Sequence, residues 1–205
     1  FFKQKTAYEI SECDWSSDVC SSDLETGAEE AMMGLFEAAL EAGLAQDGVI
    51  ASSEAQRAAL WKMREEIPEA NRRIGAISSH DTSVPLSAIP GFIARARAAI
   101  EAIGPYRINC FGHLGDGNLH YNVQAPVGTD PAEFLRTSED TINRLVFDAV
   151  VAFGGSISAE HGIGSLKAHT LPHYKSAVAL RMMRQIKGAL DPKNILNPGR
   201  VLTTQ

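Results

Sequence analysis

Apolar residues recur at the three-to-four-residue spacing of an amphipathic helix in five stretches of the chain. Ser53 begins a capping box that Gln56 completes, and Asp130 followed by Pro131 is a typical helix start. Pro68 falls inside the second apolar pattern and should interrupt that helix. The spacing therefore predicts helices over residues 28–44, 53–67, 87–103, 131–153 and 174–190, followed by an extended tail over residues 194–202.

Shorter alternating segments between these helices predict β-strands. In the last of them, His120 and Asn122 lie on one face and apolar side chains on the other. Gly115–Asn118 supplies the tight reversal that folds this strand back on the preceding one. Residues 46–52 predict a turn followed by a short strand, and the further predicted strands cover residues 76–85, 106–113 and 119–123. A hairpin at the centre of four or five strands favours the α+β class, with an antiparallel sheet flanked by helices rather than a parallel doubly wound sheet.

Two glycine-rich polar segments carry the side chains best suited to chemistry. The hairpin brings His113, at the end of one strand, close to His120 in the next. Neutral imidazoles suit zinc and related divalent metals, which need about three protein ligands when one position stays open for chemistry. Asp116 is a local third candidate, although a turn aspartate more often caps its own backbone. Glu160 is the better candidate, because it stands beside His161 in the second glycine-rich segment.

The alternative is a hairpin whose histidines are only hydrogen-bonded at a surface. Two histidines and a separate Glu-His pair, all in glycine-rich turns, favour a functional site over that alternative. Four other basic side chains are not part of these two groups, and we assign them to the surface: His80, Lys167, His169 and His173.

Charge and hydropathy exclude several classes of protein. The 205 residues include 19 basic and 25 acidic side chains, and the formal net charge of -6 argues against nonspecific nucleic-acid binding. No apolar run approaches the ~18 residues that span a bilayer, and no signal-peptide pattern is present. We therefore expect a soluble cytoplasmic protein, with peripheral attachment to the inner membrane as the alternative.

Residues 1–24 are dense in serine and aspartate and show no periodicity. They resemble translated sequencing-adaptor sequence, so we exclude them from fold prediction and assign residues 25–205 to one domain. The alternative is a natural disordered arm with a Cys13/Cys20 pair. Without this segment only Cys110 remains, and no disulfide framework can form.

Three motifs, in order along the chain, resemble the C-terminal catalytic domain of FAD-linked 2-hydroxyacid dehydrogenases of the vanillyl-alcohol oxidase class. They are His113-Leu-Gly-Asp-Gly-Asn-Leu-His120, Ser156-Ile-Ser-Ala-Glu-His-Gly-Ile-Gly164 and Asp191-Pro-Lys-Asn-Ile-Leu-Asn-Pro-Gly199. The resemblance covers about residues 25–203 and implies a ferredoxin-like-derived α+β domain. Such a domain is the substrate- and metal-binding half of a flavoenzyme. The enzyme oxidises a D-2-hydroxy acid of the D-lactate, glycolate or D-2-hydroxyglutarate type to a 2-oxo acid, with hydride transfer to FAD.

The same resemblance implies roles for individual residues. Those matched are the metal ligands His113, His120 and Glu160, the general base His161, the substrate contacts Arg64 and Asn122, and the flavin-facing tail residues Asn197 and Gly199. The implied cofactors are FAD, bound mainly by a preceding domain, and a divalent metal, usually zinc. The implied partners are the small 2-hydroxy acid, a second copy of the chain, and an electron acceptor that is a quinone, a cytochrome or an electron-transfer flavoprotein.

The chain also departs from the family pattern. Members that act on 2-hydroxyglutarate carry a threonine and a lysine where Pro68 and Ser79 stand here, so a dicarboxylate substrate is not implied. No segment of the 205 residues resembles the family's FAD-binding domain, and we expect the chain alone to be inactive. A zinc hydrolase with the same ligands, or a non-catalytic stand-alone module, are the alternative functions. For Arg64 the alternative is an ion pair with Glu65 or Glu69.

Overall fold

A computed structural model describes residues 27–75 and 77–203, and the chain divides into two compact units, residues 1–75 and 76–205. The predictions made for residues 1–24 lie outside the described residues, and the assignment of residues 25–205 to one domain stays a prediction.

The described part of the first unit is helical. Its helices are α1 (Ala28–Glu41), α2 (Glu54–Glu65) and α3 (Ile67–Ile74). The hydroxyl of Ser53 accepts a hydrogen bond from the Gln56 N–H at 3.3 Å, which confirms the predicted start of α2. Pro68 lies in the first turn of α3, where its missing N–H costs nothing, and the predicted interruption is confirmed. The short strand predicted at the end of residues 46–52 is wrong: this segment is irregular, because no described strand of this unit offers it a partner.

The second unit combines three strands with four helices among the described residues. Its elements are β1 (Ile77–Ser83), α4 (Ile89–Glu101), β2 (Arg107–His113), β3 (Asn118–Gln124), α5 (Pro131–Ala152), the single turn α6 (Leu171–Tyr174) and α7 (Ala177–Leu190). The carboxylate of Asp130 accepts a hydrogen bond from the Glu133 N–H at 2.8 Å, as the sequence predicted for the start of α5.

The three described strands form one antiparallel sheet in the order β1-β3-β2, so the strand that carries His120 is central. The register pairs His113 of β2 with Asn118 of β3, and His120 of β3 with Asp81 of β1. This topology confirms the α+β class with an antiparallel sheet, although with fewer described strands than the four or five predicted.

One face of the sheet is covered by α4 and α5, and the hydrophobic core lies between them. Leu119, Tyr121 and Val123 of the central strand pack there. The helices contribute Phe92, Ala96, Ile100, Phe134, Ile142, Val146 and Val150. Because strand side chains alternate, His120 and Asn122 point to the opposite face, as predicted.

The assignment of His80 to the surface is wrong. Its side chain is only 1% exposed and lies on the core face of β1. Nδ1 donates to the carbonyl of Tyr121 at 2.7 Å, and Nε2 lies 2.8 Å from the amide oxygen of Asn143 on α5. The alternation of β1 places His80 inward, and α5 supplies the polar partner that makes its burial tolerable. His169 and His173 are exposed, as predicted.

The C-terminal segment differs from its prediction in one respect. Residues 194–202 form a series of turns rather than an extended tail, with positive φ at Asn194, Asn197 and Val201. The carboxylate of Asp191 causes the first turn, because it accepts the N–H groups of Ile195 and Leu196 at 2.9 Å each.

The apolar side of α7 is exposed, including Val178, Met182, Ile186 and Leu190. Among the described helices, none combines the length and the apolar character that a membrane crossing requires.

Candidate metal centre

The hairpin between β2 and β3 holds the first two candidate ligands. A single turn of 3₁₀-helix, Leu114–Asp116, and Gly117 connect His113 to Asn118. Gly117 has φ +66°, and a Cβ at this position would lie 2.1 Å from the carbonyl oxygen of Val84. Only glycine fits this turn, which returns the chain so that both imidazoles stand on the same side of the sheet.

A second loop brings the carboxylate to the same place. Ser156 forms an antiparallel bridge with Ser83 at the end of β1, with N–H to O distances of 2.8 and 3.1 Å. A Cβ on Gly155 would lie 2.2 Å from the carbonyl oxygen of Ser83, so the bridge requires glycine there. The loop that follows crosses over β1 and carries Glu160 and His161 above the sheet.

The side chain of Asp81 anchors this loop. Its carboxylate accepts backbone N–H groups from Ala159, Glu160 and His161 at 3.1, 3.2 and 2.9 Å. Burial raises the pKa of Asp81, but the three backbone hydrogen bonds outweigh burial and hold the pKa below its ordinary value. Asp81 lies in the strand predicted over residues 76–85, and no role was predicted for its side chain. The available signal was an aspartate inside a strand, where this residue is normally depleted.

Lys167 also contacts the loop, so its assignment to solvent is wrong. Its Nζ donates to the carbonyl of Ile157 at 2.8 Å and lies 5.8 Å from the centre of the Phe147 ring. Burial lowers the pKa of this half-buried amine. Asp81 thus binds three N–H groups of the loop, and Lys167 binds one of its carbonyl groups.

The three predicted ligands converge. The ligand atoms of His113, His120 and Glu160 lie within 4.8 Å of one another. One carboxylate oxygen is 3.4 Å from Nε2 of His113, and the other is 3.8 Å from Nε2 of His120. Both distances are longer than an ordinary hydrogen bond between a nitrogen and an oxygen. Two ligand atoms that each lie about 2.0–2.1 Å from a tetrahedral zinc are about 3.3–3.5 Å apart, which is close to the separations seen here. The donor set and spacing therefore fit a divalent metal such as zinc.

The protonation state of His120 suits this use. Burial lowers its pKa, and the nearby His161 and His113 act in the same direction, while Glu160 and Asp81 oppose them. The imidazole is therefore held neutral near pH 7, with a lone pair available for a metal.

Two further predicted residues lie next to the ligands. The ring of His161 is 5.9 Å from that of His120, centre to centre, on an exposed part of the loop. Asn122 is 4% exposed, and its Nδ2 lies 3.5 Å from the carbonyl of His120. The structure therefore places a histidine and an amide beside the three ligands, and their predicted roles stay predictions.

The C-terminal tail approaches the same loop. The N–H of Val201 donates to the carbonyl of Gly164 at 2.7 Å, three residues after His161. Asn197 and Gly199 belong to the turns that make this contact, and their predicted role toward the flavin stays a prediction. Asp116 is exposed and is not part of the ligand cluster among the described residues.

Arg64 belongs to the first unit, in the last turn of α2. Glu69, one of its two predicted ion-pair partners, contacts Arg72 and Arg73. The predicted role of Arg64 toward a substrate carboxylate rests on its sequence motif.

Residues 18–201 match the family described as FAD linked oxidases, C-terminal domain. The chain belongs to this family. A D-2-hydroxyglutarate dehydrogenase from Xanthomonas citri pv. viticola is 44% identical over 177 residues, which are 86% of this chain and 37% of the relative. A D-2-hydroxyglutarate dehydrogenase from Stutzerimonas stutzeri is 38% identical, over 86% of this chain and 38% of the relative. The mitochondrial D-2-hydroxyglutarate dehydrogenase of Arabidopsis thaliana is also 38% identical, over 87% and 30%. This FAD linked oxidase domain thus spans well under half the length of these curated relatives.

Proposed function

We propose that the chain is the substrate- and metal-binding part of an FAD-dependent dehydrogenase that oxidises a D-2-hydroxy acid to a 2-oxo acid. The observation that carries this proposal is the convergence of His113, His120 and Glu160 from two distant glycine-rich turns, with His161 next to them. Family membership and the names of the relatives support the reaction class.

The three ligands would hold the metal, which would polarise the substrate hydroxyl and lower its pKa, while FAD on another part of the enzyme would accept the hydride. His161 accepts the hydroxyl proton as general base, from a backbone position that Asp81 fixes. Asn122 orients the substrate by hydrogen bonding. Arg64 binds the substrate carboxylate, in the role that its sequence motif gives it.

The substrate is proposed as a class. The relatives are named for D-2-hydroxyglutarate, whereas Pro68 and Ser79 lack the polar groups that the family uses for a second carboxylate. A panel of D-lactate, glycolate and D-2-hydroxyglutarate therefore tests the length of the acid as well as the reaction. The electron acceptor beyond the flavin is a quinone, a cytochrome or an electron-transfer flavoprotein. We also propose that the 205-residue chain by itself does not oxidise the substrate.

Metal binding is testable on the 205-residue chain. After treatment with a chelator, we expect it to bind about one Zn²⁺, measured by competition with a chromogenic chelator. His113→Ala, His120→Ala and Glu160→Ala should each weaken binding by at least about 100-fold, because each removes one of three ligands. The control is His173→Ala, on an exposed residue outside the cluster. Equal affinity in all four variants would refute the metal site.

The reaction class is testable in a chimera in which this chain replaces the matching segment of the Xanthomonas citri relative. Anaerobic addition of a D-2-hydroxy acid should bleach the flavin absorption. His161→Ala should slow this step by about 10²–10⁴-fold, the usual contribution of a general base, with substrate binding less affected. A hydrolytic activity of the chain without flavin, and no flavin reduction in the chimera, would instead favour the zinc hydrolase.

A further inference from the structure

Asn118 is the first residue of the central strand and is 3% exposed. The register pairs it with His113 on one side and with Ser83 on the other, so both neighbouring strands fix its backbone. Its side chain lies on the same face as His120, because the two are two residues apart in a strand. A side chain on this element is therefore held rigidly beside the proposed metal ligands.

The amide of Asn118 contacts Glu160 directly. Its Nδ2 donates to Oε1, the same carboxylate oxygen that lies 3.4 Å from His113. Glu160 itself stands on a loop, and its side chain is 43% exposed. Its backbone N–H is held by Asp81, and among the described residues the amide of Asn118 makes the one hydrogen bond that its carboxylate accepts. The donor therefore selects the orientation in which each carboxylate oxygen faces one of the two imidazoles.

The other atom of the amide, Oδ1, is buried and has no hydrogen-bond partner among the described residues. The opposite orientation of the amide would place Oδ1 against a carboxylate oxygen, so the assignment of nitrogen to Glu160 is secure. An unsatisfied buried acceptor costs stability, and such groups in native proteins usually serve a purpose other than stability. A donor on a bound water or on a substrate hydroxyl would satisfy it.

We infer that Asn118 is a positioning residue that fixes the carboxylate of Glu160 for metal binding. This inference rests on the proposed metal site and adds to it a residue outside the predicted ligands and substrate contacts. Outer hydrogen-bond partners of metal ligands typically affect metal affinity by about 10–100-fold. Asn118 belongs to this class, and it acts through Glu160 rather than on the metal.

The test is Asn118→Leu in the chelator-treated 205-residue chain, with Zn²⁺ affinity and urea unfolding of the metal-free form both measured. Leucine has a similar size and removes the orphaned acceptor together with the donor, and water can satisfy the half-exposed Glu160. We expect Zn²⁺ affinity to fall by about 10–100-fold while the metal-free unfolding midpoint stays unchanged or rises. The matched control is Asn109→Leu, the same change on the same face of the sheet, which should leave Zn²⁺ affinity unchanged.

A double-mutant cycle distinguishes positioning from a general structural effect. In the Glu160→Ala background, Asn118→Leu should cause no further loss of affinity, because its target is gone. Unchanged affinity in the single variant, or a full further loss in the Glu160→Ala background, would overturn the inference. If Asn118→Leu does not fold, Asn118→Ala takes its place in the same cycle. Failure of the unsubstituted chain to bind Zn²⁺ would refute the metal site itself, which is a separate outcome.

Discussion

The burial of His80 predicts a specific loss of stability in mild acid. Burial lowers the pKa of this imidazole to about 4, and its hydrogen bonds to Tyr121 and Asn143 oppose that shift without reversing it. In the unfolded chain a histidine has a pKa of about 6.5. The folded state therefore binds the proton more weakly than the unfolded state does, and stability must fall as the pH drops below about 6.5.

The magnitude follows from the two pKa values. Near pH 7.5 neither state is protonated, so His80 has almost no pH-dependent effect. At about pH 5 the unfolded histidine is almost fully protonated while the folded one is mostly neutral, which costs about 2 kcal/mol. The full difference of about 2.5 pKa units would reach about 3 kcal/mol once the pH falls below about 4.

The assay is urea unfolding of the 205-residue chain near pH 7.5 and pH 5, followed by far-ultraviolet circular dichroism, with His80→Gln as the variant. Glutamine does not titrate, so the free-energy gap between the two proteins should shrink by about 2 kcal/mol on going from about pH 7.5 to pH 5. His120 contributes in the same direction in both proteins and cancels in this comparison. The control is His173→Gln, at an exposed position, which should not change the pH dependence.

A direct titration covers the case in which His80→Gln does not fold. The ring signals of His80 in the nuclear magnetic resonance spectrum should not move between about pH 8 and pH 5.5. A neutral ring that donates from Nδ1 needs a donor at Nε2, so the amide of Asn143 would have to present its nitrogen there. A pKa above 6.5 would refute the reasoning. It would mean that His80 is an imidazolium that donates to the oxygens of both Tyr121 and Asn143.

Two substitutions test how the proposed site is built. Asp81→Asn removes the charge that accepts three N–H groups, and it should lower the free energy of unfolding by about 2–3 kcal/mol, measured by urea unfolding near pH 7. A loss below about 0.5 kcal/mol would show that the loop is held by other contacts. Gly117→Ala combines positive φ with a clash against Val84 and should cost more than about 2 kcal/mol. Gly128→Ala, with positive φ but open space, should cost only about 1 kcal/mol, and equal losses in the two would contradict the close approach.

Features that depend on neighbours within a few residues were predictable from the amino-acid pattern. Ser53 and Asp130 cap their helices within three residues, and Pro68 interrupts a helix because it lacks an N–H group. The hairpin followed from the glycines between His113 and His120 together with the alternation of the second strand. These contacts are local, so their signals are local too.

The convergence of the ligands was inferred from the sequence, but only the tertiary structure shows it. The hairpin motif and the Glu-His motif are some forty residues apart along the chain, and the spacing between them carries no information about distance in space. The resemblance of three motifs to a known family implied that the hairpin motif and the Glu-His motif belong to the same site. The bridge between Ser83 and Ser156 is the physical contact that brings the two motifs together.

The structural role of the polar side chains of β1 depends on contacts that are distant in the chain. His80 was assigned to the surface and is buried, because a partner on α5, Asn143, lies 63 residues away in the chain. The sequence predicts no role for Asp81, because its carboxylate accepts N–H groups that lie 78 to 80 residues further along the chain. The sequence shows that a side chain is polar, whereas the cost of burying it depends on partners that only the folded chain provides.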